Sequence, residues 1–100
     1  MAGYVGRIDA GEFLDAAPYF NGAWKSFERR TVGSVEALVL QGDNAEYSIF
    51  VLAGDGTYEV GDLRCPATPG TAITVGLGAS VTITAGSSEL DLFITTLSAS

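Results

Sequence analysis

Three short groups of residues in this 100-residue chain have the types and spacing that chemistry needs. Asp43, Asn44 and Glu46 form an oxygen-rich run of the kind that holds a hard cation. Calcium takes at least about six oxygen ligands, however, and the spacing matches no EF-hand loop, so a solvated turn between strands is the simpler reading. Glu89 and Asp91 stand two apart, which on a strand places both carboxylates on one face, as in the paired acid and base of glycosidases. Directly after Gly86-Ser87-Ser88, two solvated charges is the plainer account. Cys65 lies between Arg64 and Pro66, where a neighbouring cation favours the reactive thiolate.

What the chain lacks narrows the chemistry further. It has no histidine, which removes the commonest general base, the commonest metal ligand and the Ser-His and Cys-His nucleophile pairs together. Without a base nearby, Cys65 reads as an incidental thiol, and as a single cysteine it forms no internal disulfide. Gly54-Asp55-Gly56 is no phosphate loop, because it opens no helix. The net charge of −7 and the scarcity of Lys and Arg, adjacent only at Arg29-Arg30, argue against a nucleic-acid partner.

The elements that must position these groups are mostly strands. A hydrophobic fraction of 47% with 17% charged residues suits one globular domain of this length. No apolar run reaches the ~20 residues that span a bilayer, and residues 1–10 have no signal-peptide pattern. The expectation is one domain in the cytoplasm with no membrane partner. Its organising stretch runs from Tyr47 to Tyr58, where Ile49-Phe50-Val51-Leu52 reads as a buried strand and Asp55-Gly56 as a tight turn into a return strand, together a β-hairpin. Before it, Tyr4 to Asp9 reads as an edge strand or arm, Glu12 to Gly22 as a short helix or loop stopped by Pro18, and Trp24 to Arg30 and Val35 to Leu40 as strands. On the first of those strands Trp24, Ser26 and Glu28 fall on one face. After the hairpin, 61–70 reads as a connection or edge because of its two prolines, and Ala72 to Val75, Val81 to Thr84 and Leu90 to Leu97 as three further strands. About eight short strands with glycine-rich turns imply an all-β barrel or sandwich.

Two stretches resemble the motifs of the cupin superfamily, small double-stranded β-helix (jelly-roll) barrels. Ile49 to Tyr58 resembles the end of the first motif, and Gly70 to Val81 has the second motif's spacing of glycine, strand and glycine-closed turn. The resemblance covers 35–97, with 1–34 as N-terminal strands and loop. Residue by residue, it places the family's metal-binding His-x-His on Gln41 and Asp43, its glutamate on Tyr47 and its later histidine on Val81. All four ligand types are missing, so the resemblance implies the barrel without the metal and without another cofactor.

The same resemblance points Gln41, Asp43 and Tyr47 into the barrel mouth, joined by Tyr58, with Val81 as the apolar wall. These polar groups either satisfy one another or hold a ligand. The expected function is therefore a metal-free cupin-like small-molecule binding protein. The alternatives are a metal-independent isomerase, epimerase or cyclase using Asp43 and Tyr47 as acid and base, or a purely structural or interaction barrel. By the resemblance, and because an N-terminal strand carrying Tyr4, Val5 and Ile8 has an edge to cover, the expected partner is a second copy in a homodimer.

Overall fold

The last strand in the sequence lies at the centre of the larger sheet. In the computed structural model, which describes residues 8–15 and 24–98, nine strands form: β1 Phe13–Asp15, β2 Trp24–Val32, β3 Ala37–Gln41, β4 Ala45–Ala53, β5 Gly56–Val60, β6 Leu63–Ala67, β7 Ala72–Val75, β8 Ser80–Ala85 and β9 Leu90–Ser98. They make two antiparallel sheets, ordered β1-β2-β9-β4-β7 and β3-β8-β5-β6. No helix occurs among the described residues, and so none long and apolar enough to cross a membrane. The fold is an all-β double-stranded β-helix, the architecture that the resemblance implies and that the strand pattern alone left open between barrel and sandwich.

Alternation along the strands shows how the sequence builds the core. On β4, Ala45, Ile49 and Val51 are buried while Glu46, Ser48 and Phe50 are exposed; on β8, Val81, Ile83 and Ala85 are buried. With Leu90, Leu92 and Ile94 of β9 and Ile73 and Val75 of β7, all of these except Ala45 pack between the sheets as one cluster. Each large aliphatic side chain buried there contributes about 1.5–3 kcal/mol.

The central hairpin does not form as expected. β4 pairs with β7 and β9, whereas β5 pairs with β6 and β8, so Ala53 to Gly56 carries the chain from one sheet to the other. Its glycines serve close backbone approach rather than a hairpin turn. Gly54 has φ +96°, and a Cβ there would lie 2.0 Å from the Glu89 carbonyl oxygen; one on Gly56 would lie 2.2 Å from that of Thr84. The two-residue hairpin lies one element later, where Val60 pairs with Leu63 and Gly61 takes φ +59°. Part of the expected connection over 61–70 is therefore β6, which tolerates Pro66 because it is the edge of its sheet.

Nearer the N-terminus, residues 13–15 form a strand instead of a helical turn, because Phe13, Leu14 and Asp15 pair with Glu28, Phe27 and Ser26 of β2. Ladder pairing outweighs a short run of helix-compatible residues. The rest of that expected helix, at 16–22, and the expected arm over 4–7 lie outside the described residues, and Ile8 to Ala10 is not a strand. On the outer face of the larger sheet, Arg29 pairs with Asp91, leaving Arg29 Nε and Asp91 Oδ1 buried with no partner among the described residues. Asp91 is thus half of an ion pair rather than a solvated charge, and Glu89 stands apart in the preceding loop.

Candidate functional site

Partners facing each other across a ladder point to the same side of a sheet, so the register gives the composition of each inner wall. In the smaller sheet one inward row reads Leu38, Ile83, Tyr58, Cys65, and the next pairs Leu40 with Val81. In the larger sheet the inward rows read Ser26, Thr96, Tyr47, Val75 and then Glu28, Ile94, Ile49, Ile73, with Arg30 beside Leu92.

Burial along these rows is uneven in a directional way. Toward the turns at 53–55 and 86–89, Val51, Leu90, Leu92 and Ala67 are fully buried. Toward the turns at 42–44, 61–62 and 76–79, the inward-facing Leu38, Leu40, Tyr47, Tyr58 and Val60 pack on the core but stay half-buried. At that second end the partly exposed tyrosines and leucines stand beside buried Val75 and Val81, and together they define a shallow cup. The wall from the smaller sheet is aliphatic apart from Tyr58 and Cys65. The wall from the larger sheet is polar near β2, with Ser26, Thr96 and Tyr47 in one row and Glu28 in the next.

The structure separates the expected site residues. Tyr47, Tyr58 and Val81 face inward, Val81 with only 1% of its surface exposed. Gln41 and Asp43 are exposed: Gln41 follows the inward Leu40 by one residue, and Asp43 sits in the bend where its own amide donates to the Gln41 carbonyl at 3.0 Å. The expected polar trio is therefore not brought together. A strand's period of two makes the inward pair of β3 Leu38 and Leu40, a one-residue slip from the expectation.

The residues that the sequence reading missed are Ser26, Glu28, Arg30 and Thr96. The alternation of the first three was visible along β2, but nothing marked the polar face as the inner one, and Thr96 lies on β9. A bulge between Trp24 and Ser26 then moves Trp24 to the opposite face, where its ring lies 5.8 Å from Phe27. Arg30 Nε donates to Glu28 Oε2 at 3.0 Å, tying the two inward charges together. The Tyr58 phenol is held above its ordinary pKa of 10.0, first by its hydrogen bond with Cys65, then by desolvation, then by the charge of the thiolate. It therefore stays a neutral hydrogen-bonding hydroxyl through the physiological range.

A metal of the kind many cupins hold does not fit these side chains. Of the four positions the resemblance gives to the ligands, Gln41 and Asp43 are exposed, Val81 is an aliphatic side chain with no electron pair to donate, and Tyr47 alone is an inward oxygen. Nor do three or more His, Cys, Asp or Glu gather as a candidate ligand set among the described residues. In the Asp43, Asn44 and Glu46 run, Glu46 turns away to accept the Leu77 amide at 3.3 Å.

Comparison with solved structures agrees with this architecture. A cupin protein from Bacteroides fragilis superposes over 99% of this chain and 84% of its own with a TM-score of 0.73 at 15% identity. A cupin 2 conserved barrel domain protein from Salinispora arenicola gives a TM-score of 0.75 at 13% identity, over 93% of this chain and 81% of its own. A de novo designed double-stranded β-helix gives 0.57 at 14% identity, covering 70% of this chain and 96% of its own. No protein-family model and no curated protein matches the sequence. The chain has the cupin fold.

Proposed function

We propose that this protein is a metal-free cupin-like binding protein, whose cup takes a small molecule with one apolar face and one hydrogen-bonding edge. The observation that carries this reading is the half-burial of inward-facing Tyr47 and Tyr58 together with Leu38, Leu40 and Val60, packed against a core whose other members are buried. Aromatic hydroxyls above an aliphatic floor supply both packing and orientation, which is the usual composition of a small-molecule site. The alternative of acid–base catalysis by Asp43 and Tyr47 loses its support, because exposed Asp43 does not share the cup with Tyr47.

The test is a thermal-shift screen of small aromatic and hydroxylated molecules, since a ligand specific for the native state raises the melting temperature. With a hit in hand, Tyr47→Phe and Tyr58→Phe are expected each to weaken binding by about 1–3 kcal/mol, the cost of losing a buried hydrogen bond. Unchanged affinity in both variants removes the cup as the site. Elemental analysis of protein purified without chelator is expected to find no stoichiometric transition metal; finding one contradicts the metal-free reading.

We further propose that two copies associate in the cytoplasm, supported by the outward Phe50, 42% exposed on the larger sheet beside Phe93. Sedimentation at twice the chain mass is expected. A monomer at high micromolar concentration rules the dimer out.

A further inference from the structure

A second opening lies away from the mouth, in the crook where β2 turns into β3 and the chain passes between the sheets. Arg30, Thr31 and Val32 line one side and Glu36, Ala37 and Leu38 the other, around a cavity of about 200 Å³. The two strands belong to different sheets and exchange no ladder pairs, so no backbone hydrogen bonds close this seam.

Side chains of both signs, Arg30 and Glu36, line it. Arg30 uses Nε on Glu28, and its two terminal nitrogens make no hydrogen bond or ion pair among the described residues. They are the pair of donors that a planar guanidinium offers a carboxylate in bidentate fashion. The Glu36 carboxylate likewise has no partner among the described residues. It is folded back over Gly33, where a Cβ would stand 2.2 Å from its Oε1. The turn that delivers it is held at some cost. Val35, a β-branched residue, sits at φ +57°, while its amide donates to the Gly86 carbonyl at 3.1 Å and the Glu36 amide to the Gly33 carbonyl at 2.9 Å. Val32, Ala37 and Leu38 supply an apolar floor between the charges.

We propose that this seam cavity binds a small zwitterionic α-amino acid, its carboxylate on Arg30, its ammonium on Glu36 and its aliphatic side chain on Val32, Ala37 and Leu38. The size admits it, since about 200 Å³ is room for a molecule as small as valine. Both charged partners are solvent-exposed, so the affinity expected is in the millimolar range. The site shares Leu38 with the cup but uses neither of its tyrosine hydroxyls, so its two charged contacts do not rest on that reading.

Titration of isotopically labelled protein with L-valine, followed by amide chemical shifts, tests the proposal. Saturable shifts are expected at Thr31, Val32, Ala37 and Leu38. Isobutylamine, which lacks the carboxylate, and isovalerate, which lacks the ammonium, are each expected to bind about ten-fold more weakly. Arg30→Gln and Glu36→Gln are expected to cost about ten-fold each, and Arg30→Lys to recover only part of the loss, while Tyr47→Phe at the mouth leaves valine binding unchanged. All of these side chains are at the surface or half-buried, and circular dichroism verifies that each variant folds. Absence of saturation in the millimolar range, equal binding of all three probes, or valine affinity insensitive to both Arg30→Gln and Glu36→Gln overturns the proposal.

Discussion

Ser88 donates its hydroxyl to Asp55 Oδ1 at 2.8 Å, joining residues 33 apart in sequence. The Gly86 amide donates to the Asp55 carbonyl at 2.9 Å in the same place. The crossing between β4 and β5 is thus pinned against the loop between β8 and β9, and that pin closes the far end of the barrel.

The glycines of this crossing are expected to be far less replaceable than those of the surface turns. Gly54→Ala and Gly56→Ala each drive a methyl into backbone, so each is expected to cost more than about 2 kcal/mol. Gly70, at φ +93° with nothing within 4 Å of a Cβ, pays only the backbone strain, and Gly70→Ala is expected to cost about 1 kcal/mol. Urea denaturation of the three variants checks the order; equal costs would mean that the close approach at the crossing is not limiting.

Val35 offers the opposite case, a residue whose replacement gains stability. Its side chain is 79% exposed and buries little, while its φ of +57° disfavours a β-branched residue. Val35→Gly and Val35→Asn are expected to raise stability by about 1 kcal/mol through relief of that strain. A lower melting temperature for both counts against a left-handed backbone at this position.

The Tyr58 pKa gives stability a pH dependence at the alkaline end. Its folded value lies above the ordinary 10.0, with the Cys65 hydrogen bond as the leading cause. The folded state therefore keeps the proton longer than the unfolded chain. The contribution is complete below the unfolded pKa and is lost as pH rises through the folded one. In an ultraviolet titration of the four tyrosines, the latest-ionising one is expected to disappear in Tyr58→Phe and to move to lower pH in Cys65→Ala. A Cys65→Ala titration identical to that of the wild type contradicts the contact.

Within the core, Leu92 is fully buried and in register with Val51 on the central pair of strands. Leu92→Ala is expected to cost about 2–5 kcal/mol, by lost transfer energy and a residual cavity. Val39→Ala, on a side chain that is 55% exposed, is expected to cost well under 1 kcal/mol. Chemical denaturation distinguishes the two.

Much of the fold is legible in the sequence because strand periodicity is local. Ile49 and Val51, or Val81 and Ile83, declare a buried face within a few residues of each other. What joins strands into sheets is less local. Gly54-Asp55-Gly56 has the composition of a hairpin turn, and only contact with Thr84 and Glu89, more than twenty-five residues on, makes it a corner between sheets. The site suffered from the same gap. Gln41 against Leu40 is a choice of face, settled by the pairing of Leu40 with Val81. The inward polar side of β2 became visible only when its neighbour Ile94 was known to be core. Tyr47 and Tyr58 were legible because each alternates in phase with aliphatic residues on its own strand.

The central placement of β9 bears on how the protein is made. Both neighbours of this strand, β2 and β4, precede it by many tens of residues: Val32 meets Leu90, and Ala45 meets Ser98. During synthesis the larger sheet has a gap in its middle until β9 leaves the ribosome, with the facing edges of β2 and β4 unpaired meanwhile. The sheet is completed only after β9 has been made, and the long sequence separations make its folding slow compared with a meander of the same size. A nascent chain stalled before Leu90 is a natural client for chaperones.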